Sequence, residues 1–187
     1  MFSRTKVRPG GEEKAFDSKE DQVMPPEITI RTILNDPESH PLGHRLVAEY
    51  VEATAAEMEA DPVTFLPHIE GYASFPGAFA PDGDFLVAVV NGVEAGCVGI
   101  KPMSASGVCE MKTLWVRAAN RGQGVARALV EASLQRAREL GFSVMELDVL
   151  RSRLGAIELY RSSGFQEGPP HHEYSFEAIG FRKTLAH

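Results

Sequence analysis

The chain has few cysteines, no long apolar run and no basic block, and each shortage removes a class of function. Cys97 and Cys109 are its two cysteines among 187 residues, so no disulfide framework is available. No apolar stretch approaches the roughly 18 residues that span a bilayer, and the N-terminal residues lack the apolar h-region of a signal peptide. Lysine and arginine number 19 against 26 acidic residues, a formal charge of −7, and they form no cluster suited to nucleic acid. The expectation is a soluble, cytoplasmic chain of one domain with no nucleic-acid or membrane partner; a homodimer is the self-association left open. The six histidines offer no metal set. His40 and His44 are interrupted by Pro41 and Gly43, and His171-His172 follow Pro169-Pro170 in a loop, so all are read as solvated, at most lining a substrate mouth, and no metal is expected.

Residues 1–26 are charged and contain Gly10-Gly11 and Pro25-Pro26, which predicts a flexible leader ahead of one domain over 27–187. Ile28 and Ile30 open a first strand that Asn35-Asp36-Pro37 ends. Leu42 to Ala60 carries a helical apolar stripe, stopped by Asp61-Pro62, which starts a further short helical segment. Gly71 to Pro81 is rich in Gly, Pro and aromatics, a loop whose rings are expected on the core in preference to a substrate wall. Phe85–Val90, Asn91-Gly92 and Val93–Ile100 read as a hairpin, because Asn-Gly suits the positive φ of a type I′ turn. Cys97 and Cys109 flank Met103 symmetrically, so pairing of 96–100 with 108–112 would make them neighbours; two reduced thiols remain the preferred state.

The informative segment is Arg121-Gly122-Gln123-Gly124-Val125-Ala126, set between the strand-like 109–116 and a helix whose face is Val125, Ala126, Leu129, Val130, Ser133, Ala137 and Leu140. A glycine-rich turn opening a helix presents unpaired N–H groups and partial positive charge to an anion. A dinucleotide fingerprint fails, because its third glycine would fall on Arg127, and a P-loop fails for want of Gly-Lys-Ser/Thr. After the helix, Val144–Val149 alternates as a strand, a second helix covers about Leu154 to Ser163, and Tyr174 to Leu185 supplies the last strand pair.

Arg121, Gly124 and Ala126 fill the Arg/Gln-x-x-Gly-x-Gly/Ala pattern, and Ala156, Leu159, Tyr160, Gly164 and Phe165 fill A-x-x-L-Y-x-x-x-G-F. Together these segments resemble the GNAT family of acyl-CoA-dependent N-acetyltransferases. The resemblance implies an α/β fold, a mixed and mostly antiparallel twisted sheet flanked by helices, with a parallel strand pair splayed at the coenzyme site. It implies acetyl-CoA as acyl donor, pyrophosphate on Arg121, Gly122, Gln123, Gly124, Val125, Ala126 and Arg127, and the pantetheine arm along the backbone of Leu114, Trp115 and Val116. The acceptor would be a primary amine, with a small molecule favoured over a protein N-terminus or lysine. A non-catalytic acyl-CoA-binding module is the rival from another class. Relatives often carry asparagine where this chain has Arg153, which would then reach a phosphate or be solvated, and arginine where it has Thr113.

Acetyl transfer to an amine needs a base for the ammonium and an acid for the departing thiolate. Glu110 is the candidate base, at a position where some relatives use a glutamate through water; its rival role is an ion pair with Lys112, which alternation puts on the same face. Tyr160 is the candidate acid, since a phenol with an ordinary pKa near 10 stays protonated at neutral pH. Its rival role is packing within a short helix. No cysteine is placed for an acyl-enzyme, so direct attack is expected.

Overall fold

A computed structural model describes residues 26–59, 75–173 and 176–186. Ten elements follow in chain order: β1 (Ile28–Thr32), α1 (His40–Glu57), β2 (Asp84–Val90), β3 (Val93–Pro102), β4 (Val108–Val116), α2 (Val125–Glu139), β5 (Val144–Leu150), α3 (Leu154–Ser162), β6 (Gln166–Gly168) and β7 (Ala178–Thr184). The strands form one sheet in the order β1-β2-β3-β4-β5-β7-β6. Every pairing is antiparallel except that of β4 with β5. The α/β architecture, mostly antiparallel with one parallel pair, is the one expected.

Helices cover both faces, which is why β2 is buried along almost its whole length. Leu86, Ala88 and Val90 pack with Leu129, Val130, Ile157 and Phe181 on the side of α2 and α3. Phe85 and Val87 pack with Leu46, Val47 and Val51 of α1 on the other side. The aromatic loop does what was expected of its described part: Phe75 and Phe79 stack against Phe85 with centroids 4.9 and 5.1 Å away. The leader up to residue 25, the helical segment expected after Asp61 and residues 71–74 of that loop lie outside the described residues.

Three details correct the sequence reading. The β3–β4 hairpin pairs Pro102 with Cys109 and Cys97 with Trp115, so its turn is centred beyond Met103 and the two cysteines are not cross-strand neighbours. The last strand pair is not drawn from the tail alone, because β7 pairs with β6 at Gln166–Gly168. Between Cys97 and Gly99 the register of β4 shifts at a bulge, where Thr113 adopts φ +55°. Ahead of the bulge Cys109 and Met111 face α2 and α3; beyond it Leu114 and Val116 take that side, and Trp115 turns towards α1.

Candidate active site

β4 and β5 pair at three positions only, Val108 with Val144, Cys109 with Met145 and Glu110 with Glu146. Beyond Glu110 the two strands diverge, and a cavity of about 530 Å³ opens in the splay. Its walls include Leu114, Trp115, Val116, Arg121, Ala126 and Tyr160, six of the residues expected at the site. Val47, Tyr50 and Thr54 of α1 form the opposite wall.

The glycine segment stands at one end of this cavity. Gly122 and Gly124 have φ of +74° and +86°, left-handed conformations that L side chains adopt at a cost of about 1–2 kcal/mol. Gly124 is the residue before α2, and the helix's backbone bonding begins with Ala128 N–H to the Gly124 carbonyl at 3.0 Å. The N–H groups ahead of Ala128 are thus the donors of a helix N-terminus. Arg121 lies over the Trp115 ring, 5.0 Å from its centroid, and its Nε donates to the Val116 carbonyl at 3.1 Å. Gln123 Nε2 donates to the Ala119 carbonyl, and exposed Arg127 to Ser162 Oγ.

Tyr160 is buried between Phe165 and Phe181, with centroids 5.9 and 5.7 Å away, and still reaches the cavity wall. Burial pushes its phenol above the ordinary range, and nearby Tyr50 adds to the rise. Arg153 also lines the cavity, but its guanidinium is engaged with α1: Nε donates to Glu57 Oε2 and Nη2 to Thr54 Oγ1, each at 2.9 Å. It therefore ties α3 to α1 across the cavity instead of standing free for a phosphate. A second tie, Arg117 to Glu49 at 2.7 and 2.9 Å, fixes α1 to the end of β4 and holds the Glu49 carboxyl below the usual carboxylate range.

Glu110 is 1% exposed and forms the ion pair that the sequence set against a catalytic role. Its Oε1 meets Lys112 Nζ at 2.9 Å, the expected same-face pair, and also His172 Nε2 at 3.1 Å; its buried Oε2 has no hydrogen-bond partner among the described residues. Solvated histidines are thus not what is found here. Asp148, a further cavity residue on β5, accepts from the backbone N–H of His171 at 2.9 Å and of His172 at 3.1 Å, and its Oδ1 lies 2.8 Å from His171 Nδ1. Glu110, Asp148 and His172 bring ligand atoms within 4.8 Å of one another, the one such metal-type cluster among the described residues. The Lys112 ammonium already supplies a cation to the Glu110 carboxylate there.

Gly180 makes this arrangement feasible. It pairs with Asp148 across β5 and β7, and a Cβ built on it would lie 1.9 Å from the Pro169 carbonyl oxygen. Gly180→Ala is expected to displace the 169–173 segment and to destabilise the fold by about 1–3 kcal/mol, read as a lowered melting temperature. An unchanged melt would show that the segment is not packed on β7.

Cys97 and Cys109 are fully buried. Burial pushes the Cys109 thiol up to about 12 and raises that of Cys97 further. Thiols whose folded pKa is raised keep their contribution to stability below the ordinary thiol range and lose it as pH rises towards the elevated values. Neither thiol is expected to react with Ellman's reagent at pH 8 in the native chain, and both should react after unfolding. Rapid labelling of the native chain would reopen a thiol route.

Residues 38–165 match the family model described as the acetyltransferase (GNAT) family. An uncharacterized N-acetyltransferase of Schizosaccharomyces pombe is 41% identical over 93 residues, 49% of this chain and 57% of that protein. An IAA acetyltransferase of Azospirillum brasilense is 34% identical over 94 residues, 50% of this chain and 61% of that protein. The matched stretch therefore spans little more than half the length of these curated relatives. In fold the chain is similar to yncA of Salmonella typhimurium, solved with acetyl-CoA (TM-score 0.60, 22% identity, 85% of this chain and 94% of that chain). It is likewise similar to the ribosomal-protein-S18-alanine N-acetyltransferase of Escherichia coli (TM-score 0.61, 19% identity, 86% and 96%). Among the described residues no helix is long and apolar enough to cross a membrane. With the family model spanning the splayed strands, the glycine segment and Tyr160 together, the chain belongs to the acetyltransferase (GNAT) family.

Proposed function

We propose that the protein transfers an acetyl group from acetyl-CoA to a primary amine by direct attack, with a small molecule as acceptor. The observation that carries this reading is the glycine-opened N-terminus of α2 beside a cavity walled by Tyr160 and by the stretch of β4 that no longer pairs with β5. The pyrophosphate would rest on the N–H groups of Gly122 to Arg127, with Arg121 and Arg127 adding charge. The pantetheine arm would run along β4 past Leu114, Trp115 and Val116, where β5 has already diverged and leaves main-chain groups for a ligand, in the manner of an added strand. A backbone N–H there would polarise the thioester carbonyl. The yncA neighbour, solved with its cofactor acetyl-CoA, supports the donor.

The acceptor arrives as an ammonium and gives up one proton towards Glu110. Its nitrogen then attacks the carbonyl carbon, the C–N bond forms and the C–S bond breaks. The thiolate takes a proton from the Tyr160 hydroxyl, which recovers one from the attacking nitrogen. One proton leaves to solvent and one ends on coenzyme A, so the step balances.

The small acceptor is favoured because α1 is tied across the cavity by Arg153 and Arg117, which narrows the approach for a folded protein. A protein N-terminus or lysine is the second acceptor class, in line with the name of the Escherichia coli neighbour. We place the enzyme in the cytoplasm, a reducing compartment that suits two free thiols. The test is thiol release from acetyl-CoA with a panel of small amines and lysine-containing peptides. Acetyl-CoA binding without release on any acceptor would leave a binding module and sink the enzyme reading.

A further inference from the structure

Glu110 has chemistry suited to a base and a position that keeps it from the acceptor. Its side chain is 1% exposed, and it is not among the residues that wall the main cavity. His172 bridges that gap. Its Nε2 sits 3.1 Å from Glu110 Oε1, while the ring is 37% exposed and borders a second, open cavity lined by Pro169 to Glu173 and Phe176. Phe176 lines the main cavity as well, so a single side chain borders both spaces.

The position of His172 is built. Gly180 lets Pro169 lie directly on β7, and Asp148, itself a wall residue of the main cavity, then grips the backbone N–H of both His171 and His172. His171 is spent in the same anchor, with Nδ1 on Asp148 and Nε2 3.6 Å from Glu146, which is in turn paired with Arg182. Of the two adjacent histidines, one secures the segment and the other is carried to the buried carboxylate.

We propose that His172 is a catalytic residue, the group that takes the proton from the acceptor ammonium, with Glu110 as the carboxylate that orients its ring and stabilises the imidazolium. This rests on the acetyltransferase reading above and sharpens the part Glu110 plays in it. The N–H bond of the ammonium breaks, the proton moves to the imidazole and then to solvent, and the freed lone pair attacks the thioester. Imidazole suits the task because its ordinary titration lies near neutrality. Glu110 and Asp148 approach the ring; the charged groups next beyond them are Lys112 on Glu110, Glu146 on His171 with Arg182 on Glu146, and Glu173 in the same segment.

The test measures kcat/KM against pH for the best amine of the panel, in the unaltered chain and in His172→Gln, which keeps a donor for Glu110 but cannot titrate. His172→Gln is expected to lose at least about tenfold at neutral pH and to flatten the acid limb of the profile, with acetyl-CoA affinity and melting temperature retained. Added imidazole should restore part of the rate in His172→Ala. Turnover with an unaltered rate and acid limb in His172→Gln would overturn this proposal alone. Absence of thiol release by the unaltered chain would overturn the enzyme reading and this proposal with it. Activity abolished by a chelator and restored by a divalent cation would also overturn it, making the cluster a metal site.

Discussion

Replacing Tyr160 by phenylalanine is expected to lower kcat about 10²–10⁴-fold, the usual reach of a positioned acid, with acetyl-CoA affinity nearly unchanged. The ring is held by Phe165 and Phe181 on its edges and faces, contacts that phenylalanine preserves, so the fold should not suffer. What disappears is one proton donor on the cavity wall. Its burial raises the phenol above the ordinary range, which keeps it protonated at neutral pH, as the acid role we propose for it requires. The same shift predicts a second readout with a definite sign. A raised folded pKa leaves stability intact below the ordinary phenol range and withdraws it as pH climbs past that range, so Tyr160→Phe should unfold less steeply in strong alkali. Full kcat in the variant would mean that solvent protonates the thiolate.

The second large effect concerns the donor alone. Gly122→Asp places a carboxylate where a Cβ would have nothing within 4 Å of it, and aspartate tolerates the left-handed backbone found there better than most residues. The fold should survive, but a negative charge would stand beside the pyrophosphate site proposed above. At about 5 Å and an effective dielectric of about 20 the repulsion is about 3 kcal/mol, or roughly a hundredfold loss of acetyl-CoA affinity. Gly122→Asn has the same shape without the charge and should bind within severalfold of the unaltered chain. Calorimetric titration of both variants decides the matter. Equal affinity in Gly122→Asp and Gly122→Asn would move the pyrophosphate elsewhere.

The glycine turn, the helix it opens and Tyr160 on the cavity wall were legible in the sequence because their signals are local. Gly122, Gly124 and the apolar stripe of α2 lie within a few turns of chain, and Tyr160 shares one short helix with Ala156. The Asn91-Gly92 hairpin was legible for the same reason, and both residues adopt the positive φ that its turn requires. The cluster around Glu110 and His172 was not, because it is built from contacts between distant segments. Glu110 meets His172 across 62 positions, through a parallel register that no periodicity encodes. Asp148 looked like one polar residue in an alternating strand, yet its value lies in facing Gly180, whose missing side chain admits the Pro169 turn. The pairing imagined for Cys97 and Cys109 failed on turn placement, since the hairpin is centred nearer Gly107 than Met103.

The bulge at Thr113 works as a frameshift in three dimensions. Up to Met111 odd positions of β4 face α2 and α3, and from Leu114 even positions do, so a single extra residue inverts the parity of everything downstream. Were β4 to run on in regular alternation through Thr113, with no bulge, Trp115 would fall on the opposite face, away from Arg121, and Arg117 would turn away from Glu49; deleting Thr113 takes out the surplus residue and leaves both on their present sides. The bulge therefore absorbs one residue of surplus length, and keeps Trp115 under Arg121 and Arg117 on the α1 helix.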